Sequence, residues 1–134
     1  MFNKTIILNQ INMNELKKFL LINSFFSIAC GTIMLFFSIK LNSFFNINNE
    51  FIFQVIGLSL IFFSILVYYV SLKHLRNKLL VNIISLLDAV WVIGSLIIIL
   101  FDLFNLSNNG KIIIGLVAVW IAFLGYKQFK NNQK

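Results

Sequence analysis

Residues 79–101, LLVNIISLLDAVWVIGSLIIILF, carry a single charge, at Asp88, in a run otherwise polar only at Asn82, Ser85 and Ser95. An α-helix needs about 20 predominantly apolar residues to cross the hydrocarbon core of a bilayer, so this stretch reads as a membrane span. Three further segments qualify on the same count: 19–39, 51–72 and 112–126. The last is the shortest, and Lys111 and Lys127 can snorkel outward from its ends. The connections at 40–50, 73–78 and 102–111 are short, which makes successive spans antiparallel. The expected fold is an all-α membrane protein, a four-transmembrane-helix bundle in one domain.

Composition points the same way. The chain of 134 residues is 60% hydrophobic and 11% charged, against roughly 45–50% and about 25% for soluble domains. So short a chain cannot bury that much apolar surface in a core of its own, and its hydrophobicity excludes disorder. One cysteine, Cys30, excludes an internal disulfide, and with one histidine it leaves no metal-ligand cluster. No serine–histidine–aspartate set, paired carboxylates or glycine-rich phosphate loop is present, so no enzyme and no cofactor is expected. The phenylalanine, lysine and asparagine bias suggests an AT-rich, bacterial genome, and the asparagine-rich loops need no special explanation.

The net charge of +7 is chiefly a topology signal. Lys4, Lys17, Lys18, Lys73, Arg76, Lys78, Lys127, Lys130 and Lys134 fall on one side of the predicted spans, and only Lys40 and Lys111 on the other. Basic residues near span ends mark the cytoplasmic face, so both termini are expected in the cytoplasm (N-in/C-in) and the protein in a bacterial cytoplasmic membrane. The expected partners are the lipid bilayer and either a second copy or another membrane protein. No segment forms a folded basic face for nucleic acid.

Outside the spans, residues 1–18 read as either a short interfacial helix bearing Ile6, Ile7, Ile11 and Leu16 or a frayed tail. Asn12, followed three residues later by Glu15, has the spacing of a capping box and is placed to start the first long helix. Phe44, Phe45 and Ile47 in the following loop are expected at headgroup level, and residues 127–134 as a basic cytoplasmic tail. The second and fourth spans align without gaps: Ile56-Gly57-Leu58 with Ile114-Gly115-Leu116, Ser64 with Ala122, Tyr68 with Tyr126. Gly31-Thr32 and Gly94-Ser95 align more weakly, so the chain reads as two tandem helical hairpins of one orientation.

Asp88 is the most informative residue. It lies ten residues beyond Lys78, about 15 Å along a helix and close to the bilayer midplane. A charged aspartate there costs about 2.5–3.5 kcal/mol on insertion scales, so it must face protein or water. Ser85, Asp88, Trp91 and Ser95 share one helical face, and on the first span Asn23 and Ser27 recur one turn apart. These six residues are the candidate polar site. No lysine, arginine or histidine lies at that depth, and two readings stand: a polar clasp fixing helix register, or a proton or ligand site. On the fourth span Gly115, Ala118, Ala122 and Gly125 repeat at small-residue spacing and form the candidate helix-packing face.

Asp88-Ala89-Val90-Trp91-Val92-Ile93-Gly94-Ser95, following the basic loop 73–78, resembles the third span of a class of small bacterial four-helix integral membrane proteins. Gly110 and Lys127-Gln128 fit the fourth-span pattern of that class. There is a looser similarity to SPW-repeat membrane proteins, whose motif proline this chain lacks. The resemblance implies a four-helix fold and brings no catalytic residues. The expected role is that of a non-enzymatic accessory or structural subunit, self-associating through the small-residue face. The alternative is a small proton-coupled transporter or lipid-phase ligand binder working through Asp88.

Overall fold

The computed structural model describes residues 2–133, all of whose regular structure is helical: α1 (Phe2–Phe36), α2 (Ser38–Phe45), α3 (Glu50–Lys73), α4 (Lys78–Phe101) and α5 (Asn108–Gln133). Four of them, α1, α3, α4 and α5, are long and apolar enough to cross a membrane. Most of each apolar stretch is left uncovered by the rest of the chain, only 22–33% of it being buried. That is the surface a bundle presents to lipid, which solvates apolar side chains as well as a core does.

Three boundaries differ from the sequence reading. First, α1 has no start at Asn12; it is continuous from Phe2, and its 35 residues span about 52 Å. Asn12 and Glu15 therefore sit inside a helix, where the capping-box spacing has no free N–H groups to serve. Second, the loop after the first span is largely helix α2. Phe45 is buried against Phe53 and Leu106 inside the protein. Third, α5 continues through the segment read as a tail, as far as Gln133; Lys134, counted among the basic-end cations, lies outside the described residues.

Helix α1 packs most extensively on α3, and α4 on α5; α1 also lies against α5. Helices α1 and α4 make no close backbone approach and stand diagonally across the bundle. The α1–α3 crossing is set by Gly31 and Gly57: a Cβ on Gly31 would lie 2.7 Å from the Gly57 carbonyl oxygen, and the reverse distance is also 2.7 Å. Ser24 Oγ donates to the Ser64 carbonyl at 2.8 Å along the same seam. Small residues at 57, 64 and 71 of α3 repeat every seven positions, which keeps the two backbones close over several turns. Their counterparts in the sequence alignment behave differently. Nothing lies within 4 Å of a Cβ on Gly94, and a Cβ on Gly115 would meet only Ile99 Cδ1, at 3.9 Å.

The two ends of the bundle differ. At one end, Phe45, Phe53 and Leu106 form a small core. Ser107 Oγ donates to the Phe44 carbonyl (2.6 Å) and Asn46 Nδ2 to that of Asn105 (3.1 Å), tying the two connections together. Asparagines in these turns have specific tasks: Asn49 and Asn77 cap α3 and α4, and Asn46 and Asn105 take left-handed backbone angles that asparagine tolerates better than most residues. They are thus more than a trace of base composition. At the other end, where α1 begins, α5 ends and residues 73–78 connect α3 to α4, a cavity of about 900 Å³ opens. Lys73, His74, Arg76 and Lys78 line it together with Asn9, Asn12, Asn131 and Asn132.

Candidate functional site

Asp88 projects from α4 into the middle of the bundle and is only 4% exposed. The Asn23 side chain, from the diagonal helix α1, donates through Nδ2 to Asp88 Oδ2 at 2.8 Å, and Ser27 Oγ donates in turn to Asn23 Oδ1 at 3.4 Å. Helix α5 reaches Asp88 with Gly125, where a Cβ would come within 3.2 Å of the Asp88 Cβ. Four residues singled out in the sequence are thus brought to one place: Asp88, Asn23, Ser27 and Gly125. Among the described residues this carboxyl has one amide donor and no ion-pair partner.

The remaining candidates divide. Ser85 is buried one turn from Asp88, and its hydroxyl has no hydrogen-bond partner. Ser95 Oγ donates to the Trp91 carbonyl at 2.8 Å, one turn back along its own helix, which leaves it out of the Asp88 cluster. Among the described residues no hydrogen bond joins Trp91 to Asp88. The indole instead lines an apolar cavity of about 340 Å³ with Ser27, Cys30, Phe45 and Ile121, on the far side of Asp88 from the basic end. On the small-residue face Ala118 and Gly125 are buried, Gly115 is half-buried and Ala122 is exposed. Helix α5 turns a different row inward: Ala118, Ile121, Gly125, Gln128 and Asn132.

Two of those residues belong to the site and were assigned to the tail from the sequence. Asn132 Nδ2 donates to Asn82 Oδ1 at 2.7 Å and to the Lys78 carbonyl at 3.0 Å, pinning α5 to the start of α4. Gln128 is 0% exposed. Their signal was present in the spacing, since 118, 121, 125, 128 and 132 step by three and four like any buried helical face. It was masked because the row turns polar where the segment leaves the apolar stretch. Along the seam between α4 and α5, polar side chains therefore run from the cavity to Asp88: Asn132, Asn82, Gln128, Ser85, Asp88. An apolar core of Leu16, Leu20, Val67, Val70, Val81 and Ile84 flanks it.

The aromatic residues are structural by their contacts. Trp120 stacks on Phe123 at 5.8 Å and meets Phe26 edge-on at 6.2 Å, while Phe19 meets Phe123 at 6.0 Å, zipping α1 to α5. His74 lies 3.1 Å from the Tyr69 hydroxyl at the cavity. No three His, Cys, Asp or Glu side chains gather as a metal site among the described residues. Comparison of the chain with known protein families, with curated proteins and with solved structures finds no match in any of the three.

Proposed function

We propose that the chain is a non-enzymatic multi-pass protein of a bacterial cytoplasmic membrane, with both termini cytoplasmic, and that Asp88 exchanges a proton with the cytoplasm as part of transport or ligand binding. The observation that carries this reading is the polar row from the basic-end cavity to Asp88. A clasp serving only to fix helix register needs the Asn23–Asp88 bond and nothing beyond it, whereas here polar side chains continue to an open cavity on one side of Asp88. On the other side the cavity is lined almost wholly by apolar side chains, and the connections at that end are tied together. The excess of cations around the cavity supports its placement in the cytoplasm.

The test is flux or pH-dependent ligand binding in proteoliposomes for the wild type and Asp88→Asn. The substitution keeps the side chain's size and its ability to bond Asn23, so yield and helicity are expected to hold while the pH-dependent signal disappears. Loss of folding in Asp88→Asn, with no substrate responding to pH, would establish the clasp instead. An accessory, self-associating role is the second reading. Gly94, with nothing within 4 Å of its Cβ position, and exposed Ala122 favour it, because both offer a close approach to another helix. A reproducible partner in mild detergent, lost when Ala122 is replaced by Leu, would support that role.

A further inference from the structure

Three buried atoms are left without a hydrogen-bond partner among the described residues: Ser85 Oγ on α4 and both amide atoms, Nε2 and Oε1, of Gln128 on α5. Gln128 is 0% and Ser85 8% exposed, so bulk water does not serve them from the surface. Buried polar side chains nearly always have partners, and an unpaired amide in a low-dielectric interior costs more than its removal would.

The helix register shows that the three belong together. Gly125 of α5 meets Asp88 of α4, and Asn132 of α5 meets Asn82 of α4. Between those fixed points, Gln128 is three residues past Gly125 and four before Asn132, and Ser85 is midway between Asn82 and Asp88. The antiparallel register sets Gln128 opposite Ser85. A hydroxyl, an amide donor and an amide acceptor thus converge at one level, one turn from Asp88 and one turn from the Asn82–Asn132 pair that reaches the cavity. This is the polar lining that a buried water requires, with two to four partners each.

We propose that Ser85 and Gln128 enclose buried water that connects Asp88 with the basic-end cavity, making Gln128 a positioning residue for proton movement. This rests on the reading of Asp88 as a proton-exchanging group. The Asp88 carboxyl passes its proton to the first water, and that water releases one of its own protons toward the cavity. One proton moves, each oxygen keeps its electron count, and the reverse sequence reloads the carboxyl. Among the described residues the surroundings of Asp88 offer no competing ionisable acceptor. Asn23 faces it from α1 and Gly125 from α5, while Lys18 and Lys127 lie over the Phe19 and Phe123 rings. Lys73 and Lys78 line the cavity at the ends of α3 and α4, and Cys30 lies on the far side of Asp88.

The experiment uses the full chain in lipid nanodiscs. The infrared C=O band of the Asp88 carboxyl, identified by its loss in Asp88→Asn, is followed after transfer from H2O to D2O. Gln128→Leu removes the amide at similar size and is expected to slow deuteration at Asp88 by about tenfold or more, the factor that 1.4 kcal/mol of added barrier gives. It is also expected to lower the thermal midpoint, because it displaces water that other groups still need. Deuteration at the wild-type rate, or a raised thermal midpoint from relief of a dry, unpaired amide, overturns the proposal. Ser85→Ala carries the same two readouts should Gln128→Leu fail to accumulate. If the Asp88 band never responds to pH, the proton-exchange reading falls alone, and the thermal midpoint of Gln128→Leu still decides whether water is bound.

Discussion

The hairpin of α1 and α3 and the hairpin of α4 and α5 are closed by opposite means. In the first, Gly31 and Gly57 bring two backbones into direct contact, Ser24 donates across the seam to the Ser64 carbonyl, and Ser64 and Ser71 donate back to carbonyls of their own helix. In the second, the glycines at the aligned positions make almost no contact, and the helices are joined by side chains: Gly125 under Asp88, and Asn132 on Asn82 and Lys78. Lipid gives helices no hydrophobic reason to associate, so each pair needs either close van der Waals packing or polar bonds. The first hairpin relies chiefly on backbone packing. The second relies on polar side-chain bonds.

The sharpest way to break this contrast is to add a side chain at the aligned glycines. Gly31→Leu drives its Cβ against a backbone oxygen that cannot swing aside, and overpacking of this kind costs about 3 kcal/mol or more. Gly94→Leu enters open space and should stay within about 0.5 kcal/mol. Reversible unfolding in mixed detergent, read by circular dichroism, gives both values. Equal costs would mean that the two hairpins pack alike after all.

Next in size is the buried side-chain bond between the hairpins, Asn23 to Asp88. Asn23→Leu leaves Asp88 with no amide donor, and the expected loss is about 1–3 kcal/mol. Asp88→Asn should cost less, since the amide can still pair with Asn23. A double-mutant cycle with Asn23→Leu and Asp88→Leu should give a coupling of about 0.6 kcal/mol, the average for hydrogen bonds between membrane helices, and at most about 1.7 kcal/mol. Zero coupling would leave the aromatic contacts of α1 with α5 and the tied connections to hold the hairpins together. Within the second hairpin, Asn132→Leu removes two bonds at its open end and is expected to cost about 1 kcal/mol. Hydrogen exchange should localise that loss to the last turns of α5 and the first of α4, with α1 and α3 untouched.

The contrast between the hairpins also explains what the sequence could and could not disclose. Hydropathy marks four spans wherever apolar residues dominate, so the span count and the inward turn of Asp88 were legible. Asn23, Ser27 and Ser85 were legible too, because a polar residue inside an apolar run stands out against its neighbours. Gln128 and Asn132 were not, because they lie beyond the apolar stretch, where a buried amide looks like any other tail residue. The N-terminal turns of α1 were legible only as a separate short helix or a tail: they form a wall of the cavity and leave Ile6, Ile7, Leu8 and Ile11 exposed, so no local pattern joins them to the first span. The burial of Phe45 was not legible either, since it depends on Phe53 and Leu106, which no local pattern brings together. The alignment of Gly57 with Gly115 is real as sequence, but only pairing with Gly31 gives Gly57 its tight contact.

The smallest expected effect lies in the turn that opens the second hairpin. Asp102 ends α4 with a left-handed φ of 48°, its Oδ1 accepts the Leu106 N–H at 3.2 Å, and Lys111 Nζ lies 3.0 Å from the same oxygen. Both side chains are partly exposed, so solvent screens the ion pair and it is worth under about 1 kcal/mol. Lys111→Met should therefore cost a few tenths of a kcal/mol at low ionic strength and less in 1 M salt, where the Debye length is about 3 Å. Asp102→Ala should cost more than Lys111→Met at every salt concentration, because it also loses the turn bond and puts alanine in a left-handed backbone. Comparing the two in unfolding titrations separates the charge from the turn. If they fall equally and both recover in salt, the ion pair, and not the turn geometry, fixes where α4 stops.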